Sequence, residues 1–173
     1  MEVLLITSRQ TFWHRERGAY RVSVGVRIND LDLLKYIQVA IYGEVSSGIG
    51  DVFPGDRYVC FGEFREDGQA MWAVSVYDFK GGHDCTLDVA LNLEGLLSRN
   101  LFEKIARVVC NYTFVQSKLL RMTTYVRASN ERSRRITRRW GFREEGYIRL
   151  GFGPPRPEDM YVFGMTYDEC KWI

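Results

Sequence analysis

Apolar positions along this chain recur with two periods, one of two residues and one of about three and a half, and the changes between them mark out alternating strands and helices. Residues 21–28 alternate, with Val22, Val24 and Val26 on one face, and 1–7 reads as a further strand or a variable extension. Asp30 is placed to cap a helix in which Leu31, Leu34, Ile37, Ala40 and Ile41 recur, ending near Gly43 before a glycine-rich loop at 46–55. Strands at 58–64 and 70–79 flank Arg65-Glu66-Asp67-Gly68-Gln69, whose Asp-Gly predicts a hairpin turn. In 85–91, Cys85, Leu87, Val89 and Leu91 alternate with Thr86, Asp88 and Ala90. Leu101, Phe102, Ile105, Val108, Val109, Tyr112 and Val115 then mark a long amphipathic helix over about 99–116. A strand at 121–128, a helix at 130–140 and strands at 143–150 and 160–166 complete the chain, with a stiff glycine- and proline-rich surface loop at 151–157, over a site, between the last two. Hairpins followed by helical crossovers predict a mixed α/β sheet flanked by helices, in one domain spanning 1–173, with the weakest pattern over 1–57.

Length and composition are those of a globular domain: 173 residues, 46% hydrophobic and 27% charged. No apolar run approaches a membrane span, and the first residues lack a basic leader, so the expected compartment is the cytoplasm. Cys60, Cys85, Cys110 and Cys170 are isolated, and with only His14 and His83 beside them neither a zinc site nor a disulfide framework is expected. Charge changes the picture more. Between residues 121 and 149 nine Arg stand against three Glu, in a chain whose net charge is only +2, so the remainder is net acidic. On the predicted helix, Arg132, Arg135 and Arg139 share a face, a solvated surface or a site for a polyphosphate.

The densest signal is Asn-Glu-Arg-Ser-Arg-Arg-Ile-Thr-Arg-Arg-Trp-Gly-Phe-Arg-Glu-Glu-Gly, residues 130–146. Asn130 is a good N-cap, Ser133 and Ile136 can face inward, Gly141 can end the helix in a left-handed conformation, and Phe142 restarts the core. Preceded by the apolar strand 122–128, this order resembles the C-terminal half of the GCN5-related N-acetyltransferase (GNAT) family, and the resemblance extends from about residue 58 to the C terminus.

That resemblance implies acetyl-CoA as acyl donor, held where strands 85–91 and 122–128 splay apart. The backbone near Ala90, Leu91 and Asn92 would pair with pantetheine and polarise the thioester carbonyl. The family's phosphate loop falls on Leu93-Glu94-Gly95-Leu96-Leu97-Ser98-Arg99, where only Gly95 remains glycine and Ser98 and Arg99 stand as substitute donors. Asn130 and Ser133 would lie beside the thiol arm, and Arg132, Arg135 or Arg139 would meet the adenosine 3′-phosphate.

Acetylating an amine calls for a base to take its proton and an acid for the leaving thiolate. Asp88 and Asp84 share one strand face, Glu63 ends a neighbouring strand, and His83 sits beside a Gly-Gly turn; each is a candidate base. Where many family members carry an acidic Tyr this chain has Thr137, which leaves Tyr125, Tyr147 or water. The leading function is thus an acetyl-CoA-dependent N-acyltransferase with an amine acceptor, small molecule or protein. A non-catalytic acyl-CoA- or protein-binding protein comes second, and a nucleic-acid-binding domain using the Arg-rich helix third. No membrane partner is expected, and a second copy of the chain is a candidate partner.

Overall fold

The computed structural model describes residues 25–27, 58–64, 70–91, 99–154 and 156–173. Within them lie β1 (Gly25–Arg27), β2 (Tyr58–Phe64), β3 (Ala70–Lys80), β4 (Asp84–Leu91), α1 (Arg99–Cys110), β5 (Arg121–Arg127), α2 (Glu131–Trp140), β6 (Arg143–Phe152) and β7 (Glu158–Thr166). The described strands form one sheet in the order β1-β2-β3-β4-β5-β7-β6. All neighbours are antiparallel except β4 and β5, which run parallel and are bridged by α1. This is the mixed sheet that the alternation of hairpins and crossovers predicts. The predicted helix after Asp30, the 46–55 loop and the first strand at 1–7 lie outside the described residues, as does the turn at 65–69.

Burial explains why these segments adopt these forms. On one sheet face Val59, Phe61, Trp72, Val74, Val76, Leu87, Met122 and Phe163 pack against Phe102, Ile105, Ala106 and Val109 of α1 and Trp140 of α2. The intervening residues Cys60, Ala73, Ser75, Tyr77, Thr86 and Asp88 point to the opposite face and are buried too. A strand buried on both faces reads as a short, mostly apolar run, as β3 and β4 do. α1 passes at Asn111 into a wider, π-helical stretch to Gln116, which ends with the Ser117 N–H donating to the Tyr112 carbonyl five residues back, at 2.9 Å. The helix expected over 99–116 is this pair of segments in sequence.

The ends of α2 are set locally. The Asn130 side chain accepts from the Ser133 N–H at 2.9 Å, and Gly141 closes the helix at φ +119°, donating to the Arg138 and Thr137 carbonyls. Because an L side chain is strained at that φ, Gly141→Ala is expected to cost about 1–3 kcal/mol. Chemical denaturation checks it; a loss under about 0.5 kcal/mol would mean the turn relaxes freely.

β6 departs from the sequence reading. It runs on through Gly151 and Phe152, with irregular register between Ile148 and Phe152, so the connection to β7 is only residues 153–157. The earlier strand end at 150 followed from reading Gly151-Phe152-Gly153 as loop punctuation. The Phe152 pairing with Glu158 overrides it.

Candidate active-site cleft

β4 and β5 are held together at a single register position, Thr86 opposite Thr123. Past that point toward their C-terminal ends the two strands diverge, and no further β4–β5 register pair follows. A cleft of about 350 Å³ opens there, walled by residues 87–90 of β4 and 124–127 of β5. In α/β sheets, crevices at strand C-termini are where ligands bind. The lining alternates by strand parity. Leu87, Val89, Thr124 and Val126 face the helices, whereas Asp88, Ala90, Tyr125 and Arg127 face the opposite side of the sheet. Side chains of both faces thus meet in one gap.

α2 closes the helix side. Its capped start places Asn130, Arg132 and Ser133 at the cleft, and one and two turns later Ile136, Thr137 and Trp140 continue the same face. The other arginines of α2 are directed elsewhere. Arg134 stacks on Tyr161 at 4.0 Å, Arg138 pairs with Glu144 and lies over Phe163, and Arg139 lies over Phe102 at 4.8 Å. Arg135 is exposed and is not among the lining residues. Of the three arginines weighed for an adenosine phosphate, Arg132 lines the cleft. The rotation of α2 is fixed by Trp140, which is buried against the Phe102 and Phe142 rings, and spacing alone does not reveal that.

Asp88 is buried and accepts a hydrogen bond from the Tyr77 hydroxyl at 3.0 Å. Asp84 shares its parity but sits at the far end of β4, where it accepts from Thr123 Oγ1 at 3.1 Å and faces Arg121 at 3.8 Å, outside the cleft. His83 lies in the turn before β4, exposed, its carbonyl accepting the Leu120 and Arg121 N–H groups. Tyr125 and Thr137 both line the cleft, but the Tyr147 hydroxyl is turned away to Asp159. Leu93, Gly95 and Ser98 lie outside the described residues, as do the side chains of Glu63, Leu91 and Arg99. The described residues therefore bring together Asp88, Tyr125, Asn130 and Ser133 in one place.

Three lining residues carry no signal in the strand and helix pattern: Arg127, Phe152 and Arg156. Arg127 Nη1 donates to the Arg156 carbonyl at 2.7 Å, its guanidinium lies 4.3 Å from the Phe152 ring centre, and Glu158 is 3.6 Å away. Glu158 in turn accepts the Ser129 N–H, and Asp159 accepts the Leu150 N–H at 2.7 Å and the Tyr147 hydroxyl. These bonds lash the β6–β7 connection to the end of β5. The hints in the sequence are that Arg127 ends the strand just before the Asn130 cap and that Phe152 and Arg156 fall in the 151–157 segment expected over a site.

The anchors are acid-sensitive. Hydrogen bonds from Ser129, then Arg127, hold the Glu158 carboxyl below its ordinary range; the Tyr147 hydroxyl and Leu150 N–H do the same for Asp159, and the Thr166 N–H for Glu169. A depressed carboxylate pKa gives stability that is complete above the unfolded-state value, about 4, and lost as pH falls through the lower folded-state value. The unfolding midpoint should accordingly be flat above about pH 5 and fall below about pH 4. A Glu158→Gln, Asp159→Asn variant should have a shallower acid limb in thermal unfolding, and an unchanged limb would show that these anchors contribute nothing.

A scan with protein-family models finds no match, and neither does a sequence search of curated proteins. Solved structures do match. A spermidine N-acetyltransferase from Vibrio cholerae in complex with CoA and spermine superposes with a TM-score of 0.63 at 13% identity, covering 84% of this chain and 96% of that one. The dodecameric structure of spermidine N-acetyltransferase from Vibrio cholerae in an intermediate state gives 0.61 at 14% identity, over 83% and 93%. The chain has the GNAT fold. In this GNAT fold the splayed pair is β4 and β5, the two strands expected from the sequence. Among the described residues no helix is long and apolar enough to cross a membrane, and no group of metal-ligating side chains is present.

Proposed function

We propose that the chain is an acetyl-CoA-dependent N-acyltransferase that transfers an acetyl group to an amine. One observation carries this: the parallel β4–β5 junction, paired at a single position, opens into a cleft walled by both strands and containing a buried carboxylate. Unpaired N–H and C=O groups in a protein interior need a partner. An extended amide-bearing arm such as pantetheine can supply that partner, which fits the lining.

Acetyl-CoA, when bound, supplies the activated acyl group. The backbone of β4 around Ala90 and Leu91 would hold its arm, with Asn130 and Ser133 at the start of α2 beside it. Leu93, Gly95, Ser98 and Arg99 remain the phosphate-side proposal, with Arg132 now ahead of Arg135. Asp88 takes the proton from the acceptor ammonium and so frees the nitrogen lone pair that forms the C–N bond; Glu63 is the second candidate. As the C–S bond breaks, its electron pair leaves with sulfur. Tyr125 or water donates the proton that neutralises it and is restored by the second proton that the nitrogen sheds as the amide forms. Thr137, also in the cleft, can hydrogen-bond but is too weak an acid for that role. The reading treats residues 1–173 as one acyltransferase domain, and the dodecameric neighbour supports a self-associating protein.

The test is thermal unfolding with acetyl-CoA, CoA and ATP, followed by thiol release with a panel of amines. A ligand that binds only the folded state raises the midpoint. A rise with acetyl-CoA and CoA but not ATP, together with amine-dependent thiol release, is expected. No rise at saturating ligand overturns the proposal. Thr137 favours one alternative, a protein that binds acyl-CoA without turnover; a rise with no thiol release would select it. The nucleic-acid reading loses ground because Arg134 and Arg138 are packed onto aromatics of β7 and Arg139 onto Phe102 of α1 rather than forming a free basic stripe.

A further inference from the structure

We infer that the acceptor amine carries an anionic group, a carboxylate or a phosphate, on the same molecule. The inference rests on the acyltransferase reading and specifies its substrate class. Among the described residues, the cleft lining holds one acidic residue, Asp88, and three basic ones, Arg127, Arg132 and Arg156. They divide by side. Arg132 belongs to the first turn of α2 and lies on the helix side, where the acyl donor's own phosphates would approach. Arg127 alternates with Val126 and so points to the opposite side of the sheet, together with Asp88 and Tyr125.

That opposite side has a built anion site. Arg127 is clamped by the Phe152 ring, by the Arg156 carbonyl and by Glu158, so its guanidinium is held in one orientation. Glu158 offsets one positive charge and is itself bonded to the Ser129 N–H. Arg156 adds a second arginine to the lining, and the described salt bridges do not include it. The net charge of this end is positive. Counted on from Thr86 opposite Thr123, Asp88 and Tyr125 are each two residues further along their strands, and Ala90 and Arg127 four. The Arg end thus lies about two residues, roughly 7 Å, beyond the carboxylate along the strands. A compact molecule with its ammonium at Asp88 and an anion at that spacing meets complementary charge at both ends, and Arg forks suit carboxylate and phosphate oxygens equally. A polycation would place a second ammonium against two guanidinium groups. The spermine held by the CoA-bound neighbour would therefore be a poor acceptor here.

The experiment compares matched acceptors at saturating acetyl-CoA by thiol release: glycine and β-alanine against their carboxamides, phosphoethanolamine against ethanolamine, and spermidine. Thermal shift with CoA alone is run in parallel. At least one anionic member should exceed its neutral partner roughly ten- to hundredfold in kcat/KM, the usual range for a charge-assisted contact. The carboxylate and phosphate arms tell which anion is read. Arg156→Gln, a substitution in an exposed connection, should narrow that ratio. Neutral amines or spermidine reacting as well as the anionic ones would overturn the inference while leaving the acyltransferase reading intact, as would a ratio unmoved by both Arg156→Gln and Arg127→Gln. A CoA shift with no release from any anionic acceptor also overturns it. Absence of a CoA shift overturns both.

Discussion

Asp88→Asn is expected to lower kcat/KM for amine acetylation by roughly 10²- to 10⁴-fold, the range typical of losing a general base. The substitution is close to isosteric, and the Asn carbonyl oxygen can still accept the Tyr77 hydroxyl, now at 3.0 Å from the carboxylate. Folding and CoA binding should therefore survive. Stability should change by less than about 1 kcal/mol, since a neutral acceptor replaces a charged one without leaving the donor unpaired. The comparison to make is steady-state thiol release beside the CoA-induced thermal shift on the same preparation. Activity within about threefold of the parent would place the base elsewhere, and Glu63 would be next.

Trp72→Ala should produce the largest loss of stability, about 3–5 kcal/mol, from removal of a fully buried indole. Against a total of about 5–15 kcal/mol for a domain, that is enough to populate unfolded protein at moderate temperature. At about 2–4 °C per kcal/mol for a chain this size, the midpoint falls by roughly 6–20 °C. The effect reaches the site too. Trp72 stands opposite Leu91 in the β3–β4 register and shares a core with Leu87, which forms part of the cleft wall, so the CoA-induced shift should shrink as well. Leu150→Ala is the contrast, at 70% exposure, and should stay within about 0.5 kcal/mol. A Trp72→Ala loss below about 1.5 kcal/mol would mean that the core collapses onto the vacancy.

What could be read from the sequence was whatever short-range chemistry determines. The Asn130 cap and the Gly141 stop are local decisions of a few backbone hydrogen bonds, and so the limits of α2 were legible to one residue. The alternation over 85–91 gave β4 its parity and put Asp88 on the face away from α1. Parity does not say where along a strand a site lies, and so Asp84 looked as good as Asp88 until the Thr86–Thr123 register separated them. Arg127 and Arg156 depend on how β5, β7 and an irregular β6 come together, an arrangement of residues some thirty positions apart that no local pattern encodes. Arg135 illustrates the same limit on a helix. Spacing grouped it with Arg132 and Arg139, and the packing of Trp140 then turned it to solvent.

The single register contact between β4 and β5 has a consequence for amide hydrogen exchange. Strands in the middle of a sheet normally exchange last, because their N–H groups open only with the whole fold. Here β4 and β5 form no register pair past Thr86 and Thr123, although Cys85, Leu87 and Met122 beside that point are among the most buried of the described side chains. Solvent deuterium should therefore enter the centre of this sheet ahead of β3, and a ligand lying in the gap should slow it there first, tracing its own path residue by residue along the two strands.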